Sequence, residues 1–130
     1  MMATRQLAFR VLSLWVLFAG LTLLFPTIAD RVFDLHLKNW GVASEYGGIL
    51  IGLAAMYWAF SMDAERYAPV MGVVAFGLLL NAVINAYRWA VGQYTLQSAG
   101  FNIVLNLALA AWFWTLRPRN AASVPPLGAG

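Results

Sequence analysis

Hydrophobic residues along this chain fall into four long blocks separated by short polar stretches. The blocks cover about residues 9–28, 45–62, 68–91 and 99–116. Each is close to the roughly 20 apolar residues that an α-helix needs to cross the hydrocarbon core of a bilayer. The blocks lack the alternation of a membrane β-strand, and lipid offers no hydrogen-bond partner to an open backbone. The pattern therefore predicts an all-α bundle of four transmembrane helices.

The stretches between the blocks are short, which predicts antiparallel neighbours within a single domain over residues 1–116. Pro26 lies late in the first block, and we expect the helix to kink or end there because proline removes a backbone donor. Residues 30–43 mix apolar and charged side chains, which predicts an interfacial segment anchored by Trp40. Residues 117–130 are rich in Pro, Ala, Ser and Gly, and this composition is typical of a disordered tail.

The composition supports a protein whose main solvent is lipid. Hydrophobic residues make up 62% of the chain and charged residues only 10%, whereas a soluble protein has roughly 25% charged residues. The net charge of +3 does not indicate nucleic-acid binding, because the basic residues stand singly or in pairs at the block edges. The absence of cysteine excludes disulfides and thiol chemistry.

The distribution of basic residues predicts the orientation in the membrane. If both termini are cytoplasmic, the positive-inside rule is obeyed, because more basic residues then face the cytoplasm than the other side. The cytoplasmic set is Arg5, Arg10, Arg66, Arg117 and Arg119, and the opposite set is Arg31, Lys38 and Arg88. In a bacterium this arrangement corresponds to a multi-pass protein of the inner (plasma) membrane, with the tail in the cytoplasm.

Small residues recur at helical spacing in the second and third blocks. They are Gly48, Gly52, Ala55 and Ala59 in the second block and Gly72, Ala75, Ala82 and Ala86 in the third. Small side chains three or four residues apart let helices approach closely in lipid. We expect these faces to pack inside the bundle, and the alternative is that one of them forms a dimer interface.

Polar side chains inside the blocks are the candidates for a site, because each costs free energy in lipid unless it finds a partner. Six of them fall in the same half of the membrane, the outer leaflet: Glu45, Asn81, Asn85, Arg88, Asn102 and Asn106. We expect Glu45 to pair with Arg88 and the Asn amides to satisfy the remaining groups. One alternative is structural, with the charged groups reaching headgroups and the amides bonding between helices. Another is that the cluster passes protons or ions.

Residues for catalysis or metal binding are missing from the sequence. The single histidine, His36, has no carboxylate at ligand spacing, and neither a phosphate-binding loop nor a nucleophile with its base can be assembled. We therefore predict no enzyme activity, no metal and no cofactor. The leading hypothesis is an accessory or scaffold subunit of a larger membrane complex, or a small homo-oligomer. The alternative is a binder or transporter of a small amphipathic molecule, lipid or quinone-like, at the polar cluster.

The sequence Glu-Tyr-Gly-Gly at positions 45–48, with Arg88 near the end of the third block, resembles a known bacterial group. This group consists of small four-span membrane proteins of unknown function that are DoxX-like in general plan. The resemblance covers roughly residues 9–116 and implies a four-helix membrane bundle with no established reaction. Carried over to this chain, it points to Glu45, Gly47, Gly48 and Arg88 as site residues.

Overall fold

The computed structural model describes residues 2–33 and 39–118, and the regular structure in these ranges is entirely helical. The α-helices are α1 (Met2–Leu24), α2 (Pro26–Phe33), α3 (Trp40–Ser61), α4 (Ala64–Tyr67), α5 (Met71–Ala90) and α6 (Leu96–Leu116). The 3₁₀ turn Ala68–Val70 joins α4 to α5. Residues 34–38 of the predicted interfacial segment, which include His36, and residues 119–130 of the predicted tail lie outside the described ranges.

The helix ends follow from local sequence. The predicted break at Pro26 is confirmed, since α1 ends at Leu24 and Pro26 opens α2, where its missing N–H is not needed. Asn39 caps α3, because its side-chain oxygen accepts a hydrogen bond of 3.0 Å from the backbone N–H of Val42. Glu45 therefore lies inside α3 and not at its start.

Three helical segments in the described part of the chain are long and apolar enough to cross a membrane: Ala3–Leu24, Ala64–Ala90 and Leu96–Leu116. α3 is also long, at 22 residues, but Ser44, Glu45 and three glycines lower the hydrophobicity of its first half. The structure thus confirms a helical fold with candidate membrane spans for the described part of the chain, while the fourth span and the orientation stay predictions.

The four long helices form two antiparallel pairs. α1 packs along α3, and α5 packs along α6. Hydrogen bonds between side chains and backbone join the first pair at two levels. The Ser13 hydroxyl donates to the Ala54 carbonyl at 2.6 Å, and the Ser44 hydroxyl donates to the Leu24 carbonyl at 3.2 Å.

The face of α3 that packs against α1 is not the predicted one. The predicted residues Gly48, Gly52, Ala55 and Ala59 are all exposed, and a Cβ added to either glycine would meet nothing within 4 Å. The buried small residues of α3 are Ala43, Gly47, Ala54 and Ser61. Adjacent residues of a helix are separated by about 100° around its axis. The observed buried face contains Gly47, so the predicted face, which contains Gly48, is turned to the outside.

The predicted small residues of α5 lie differently. Ala75 and Ala82 are buried, while Gly72 and Ala86 are half-buried. A Cβ added to Gly72 would lie 3.9 Å from the side chain of Trp114, which is in α6. It would lie 3.7 Å from the side chain of Arg117, which directly follows α6. This face of α5 therefore packs inside the chain.

The two helix pairs meet near the start of α1. Phe9 is fully buried there, with its ring centroid 5.6 Å from that of Phe113 on α6 and 5.8 Å from that of Phe60 on α3. Leu12 and Met71 are buried in the same cluster. We call this region, defined by Phe9, Leu12, Met71 and Phe113, the closed end.

A charged side chain completes the closed end. Arg5 is only 7% exposed. Its Nε donates to the Leu116 carbonyl at 2.9 Å, and its Nη1 forms an ion pair of 2.6 Å with Oε2 of Glu65. Arg5 therefore links α1 to α4 and to the end of α6.

Candidate functional site

A cavity lies between the two helix pairs, extending away from the closed end. Its volume is about 840 Å³, and α1 and α3 line one side while α5 and α6 line the other. Toward the closed end its walls are mostly apolar, with Leu12, Phe60, Val70 and Val74 among the lining residues and Tyr57 as the exception. A space of this size and lining is typical of a site for a small, largely apolar molecule.

Uncharged polar side chains line the half of the cavity that lies farther from the closed end. They are Tyr46, Asn81, Asn85, Tyr94, Asn102 and Asn106, and we call them the polar layer. Because α5 and α6 are antiparallel with a short connection, Asn81 lies at the level of Asn106 and Asn85 at that of Asn102. Asn106 is about 15 Å and Asn102 about 9 Å from the start of α6, so the layer begins near mid-helix.

The hydrogen bonds of the asparagines run along the helices. Nδ2 of Asn102 donates to the Ser98 carbonyl at 2.6 Å, and Nδ2 of Asn106 donates to the Asn102 carbonyl at 2.8 Å. Nδ2 of Asn85 donates to both the carbonyl and Oδ1 of Asn81, at 2.9 and 2.6 Å. Across the described ranges, no asparagine of α5 bonds to one of α6, so these amides do not join the two helices.

The amide oxygens of the polar layer are left without donors. Oδ1 of Asn85, Asn102 and Asn106 accepts no hydrogen bond from the described residues. Asn106 is only 4% exposed, yet it lines the cavity. A backbone carbonyl can only accept, so each amide nitrogen must face the carbonyl of the preceding turn. The three oxygens, together with the second N–H of Asn102 and of Asn106, are therefore available to a molecule in the cavity.

The predicted ion pair between Glu45 and Arg88 is wrong. Both residues are exposed, neither lines the cavity, and no ion pair joins them. Arg88 instead donates from Nη1 to Oε1 of Gln93 and lies 5.8 Å from the ring centroid of Tyr87. The register of α3 explains the difference, since it places Tyr46, and not Glu45, on the lining.

Sequence reasoning placed the four asparagines at one level, and the structure brings them to one cavity. It missed Tyr94, which lies in the connection before α6 and joins the polar layer. It also missed the pairing of Arg5 with Glu65. Their shared position on the predicted cytoplasmic side was a usable signal.

Within the described ranges, no group of three or more His, Cys, Asp or Glu side chains could hold a metal ion. The fold and the cavity define a helical protein with candidate membrane spans and an internal polar layer. No family of known proteins, no curated protein and no solved structure matches the chain. The resemblance to the DoxX-like group therefore stays a prediction.

Proposed function

We propose that this protein crosses the membrane four times, with both termini in the cytoplasm, and binds a small amphipathic molecule in its cavity. The observation that carries the proposal is the polar layer, where amide oxygens without donors line a largely apolar space of about 840 Å³. Unpaired polar groups are costly in lipid, and a bound polar head would satisfy them. The apolar part of the molecule would lie along the walls near Leu12 and Val74.

The packing of α3 supports the fourth span. α3 lies antiparallel along α1, which is a candidate span, and a helix in that position crosses the same layer. Its 22 residues correspond to about 33 Å, which matches a hydrocarbon core of roughly 30 Å. Ile49 and Trp58, which do not line the cavity, are exposed on α3 and suited to lipid. In a bacterium, the membrane would be the inner membrane.

The chemistry of the lining supports binding or transport over catalysis. The described lining residues supply amides and phenols but no carboxylate, imidazole or amine. Phenols and amides can position a molecule by hydrogen bonding, but they are weak acids and bases near neutral pH. We therefore propose a non-enzymatic role.

Gly77→Leu tests the cavity. Gly77 lines it, and a Cβ there would meet nothing within 4 Å, so we expect a leucine side chain to occupy part of the cavity. We expect native mass spectrometry from mild detergent to show a bound molecule on the wild type and its loss from Gly77→Leu. Gly52→Leu is the matched control, because Gly52 has equally open space but lies on the outer face of α3. Equal retention of the molecule by both variants, or none on the wild type, would contradict the proposal.

A second candidate function is self-association through the outer face of α3. Gly48, Gly52, Ala55 and Ala59 form an exposed small-residue face of the kind that joins helices in lipid. We expect Gly52→Leu to convert a dimer to a monomer in mild detergent, while Gly77→Leu leaves the stoichiometry unchanged. If the wild type is monomeric in mild detergent, self-association is excluded. The remaining interpretation is then that this face packs against another subunit of a larger membrane complex.

A further inference from the structure

We infer that the polar layer recognises an uncharged head group that donates a hydrogen bond, which is the chemistry of a hydroxyl-bearing lipid. The inference rests on the proposed binding function and specifies the class of its ligand. Two properties of the layer lead to it: the lining has no charge, and its amide oxygens lack donors.

The lining excludes a charged head on energetic grounds. None of the described residues that line the cavity is charged. The charged residues closest in sequence to the polar layer are Glu45 and Arg88, and both are exposed and off the lining. A carboxylate, phosphate or ammonium would lose its hydration without gaining a counter-ion, which costs far more than moving a neutral polar group. An uncharged head is therefore favoured.

The hydrogen bonds of the layer call for a donor. In Asn85, Asn102 and Asn106, the amide nitrogen is already held by a carbonyl of the preceding turn, whereas the oxygen accepts nothing from the described residues. A ketone or an ether can only accept, so it would leave all three oxygens without a donor. A hydroxyl donates to one of them.

A hydroxyl also matches the other members of the layer. The phenols of Tyr46 and Tyr94 line the same part of the cavity. Each phenol can donate as well as accept, and so can a ligand hydroxyl. One head can thus donate to an amide oxygen and accept from a phenol, while its chain occupies the apolar half near the closed end.

Four probes with the same alkyl chain separate these requirements. They are hexadecanol, its methyl ether, hexadecanoate and hexadecylammonium, titrated onto the full chain in mild detergent and followed by native mass spectrometry. We expect the alcohol to bind at least about tenfold more tightly than the ether, because an unpaired buried acceptor costs about that much. The carboxylate and the ammonium should also bind more weakly than the alcohol.

A matched pair of variants locates the effect. The double variant Asn102→Leu, Asn106→Leu removes two of the three oxygens and should lower the affinity for the alcohol to that for the ether. Thr115→Val is the control and should keep the preference for the alcohol, because Thr115 is an exposed polar residue of α6 that does not line the cavity. Circular dichroism verifies folding, and Asn102→Leu alone replaces the double variant if the latter does not fold.

Failure of the inference and failure of the proposed function give different results. Equal binding of alcohol and ether, or tighter binding of either charged probe, would overturn the inference while the cavity remains a binding site. If no probe binds the wild type more tightly than it binds Gly77→Leu, the proposed function itself is overturned.

Discussion

At the residue scale, Arg5 does more for the fold than any charged residue that the sequence singled out. Its guanidinium contacts Glu65 and the Leu116 carbonyl, which belong to two other helices. The second oxygen of Glu65, Oε1, is buried and has no hydrogen-bond partner among the described residues. Without Arg5, the carboxylate would lose the one ion pair it makes among the described residues. Arg88, by contrast, bonds only locally.

We predict that Arg5→Met lowers the free energy of unfolding by about 2 to 3 kcal/mol. Removing one partner of a fully buried ion pair costs roughly 3 to 5 kcal/mol, and the Glu65 side chain, at 31% exposed, recovers part of this by hydration. Denaturant titration in mild detergent, followed by circular dichroism, measures the change. Arg88→Met is the control and should cost less than about 0.5 kcal/mol, as exposed substitutions do. Similar losses in both variants would show that the closed end does not depend on Arg5.

At the scale of helices, the α1 and α3 pair is set by two glycines that face each other. A Cβ on Gly47 would lie 2.5 Å from the Leu24 nitrogen and 2.7 Å from the Gly20 carbonyl oxygen. These neighbours are backbone atoms, which cannot move aside as a flexible side chain can. The helices must therefore separate if Gly47 gains a side chain, and the hydrogen bonds from Ser13 and Ser44 would stretch with them.

Alanine substitutions at two adjacent glycines should therefore have opposite effects. Gly47→Ala should destabilise the protein by about 1 to 3 kcal/mol through overpacking. Gly48→Ala should be neutral or stabilising by up to about 1 kcal/mol, because alanine is the better helix former and the site is open. Thermal unfolding followed by circular dichroism compares the two. Equal tolerance of both would mean that α1 and α3 do not approach through Gly47.

At the scale of the whole molecule, one end is packed and the other holds the cavity. Phe9, Arg5 and Phe113 join α1, α3, α4 and α6 at the closed end, and Met71 of α5 is buried in the same cluster. The proposed topology places this end toward the cytoplasm and the polar layer toward the outer leaflet. Whether α3 crosses the membrane decides this arrangement, because removing one crossing reverses the side of every later connection.

Single cysteines can report the topology, because the natural chain has none. Thr4, Met62 and Gln93 are exposed positions near the start of α1, after α3 and after α5. With four spans, Thr4→Cys and Met62→Cys should react with an impermeant maleimide only after the membrane is opened, and Gln93→Cys should react in intact cells. If α3 does not cross, Met62→Cys will react on the side opposite to Thr4→Cys, and Gln93→Cys on the same side.

Part of the candidate site could be predicted because helical geometry is local. The spacing of Asn81 and Asn85 and that of Asn102 and Asn106 are fixed by the helix repeat, and a short connection between α5 and α6 brings the two pairs level. The partners of Glu45 and Arg88 could not be predicted in this way. They depend on the rotation of α3 about its axis and on where a long, flexible arginine side chain finds its acceptor.

The sequence alone determined that this chain is helical, where its first helix breaks and which stretches are apolar enough for a membrane. These properties follow from composition, from proline and from a period of about 3.6 residues, all of which act within one segment. Only the tertiary structure decided which face of α3 meets α1, that the pairs close around Phe9 and that a cavity lies between them. Those outcomes depend on contacts of a few ångströms between segments that are distant in the sequence. A shift of one residue position turns a helix face by about 100° and changes which side chains make these contacts.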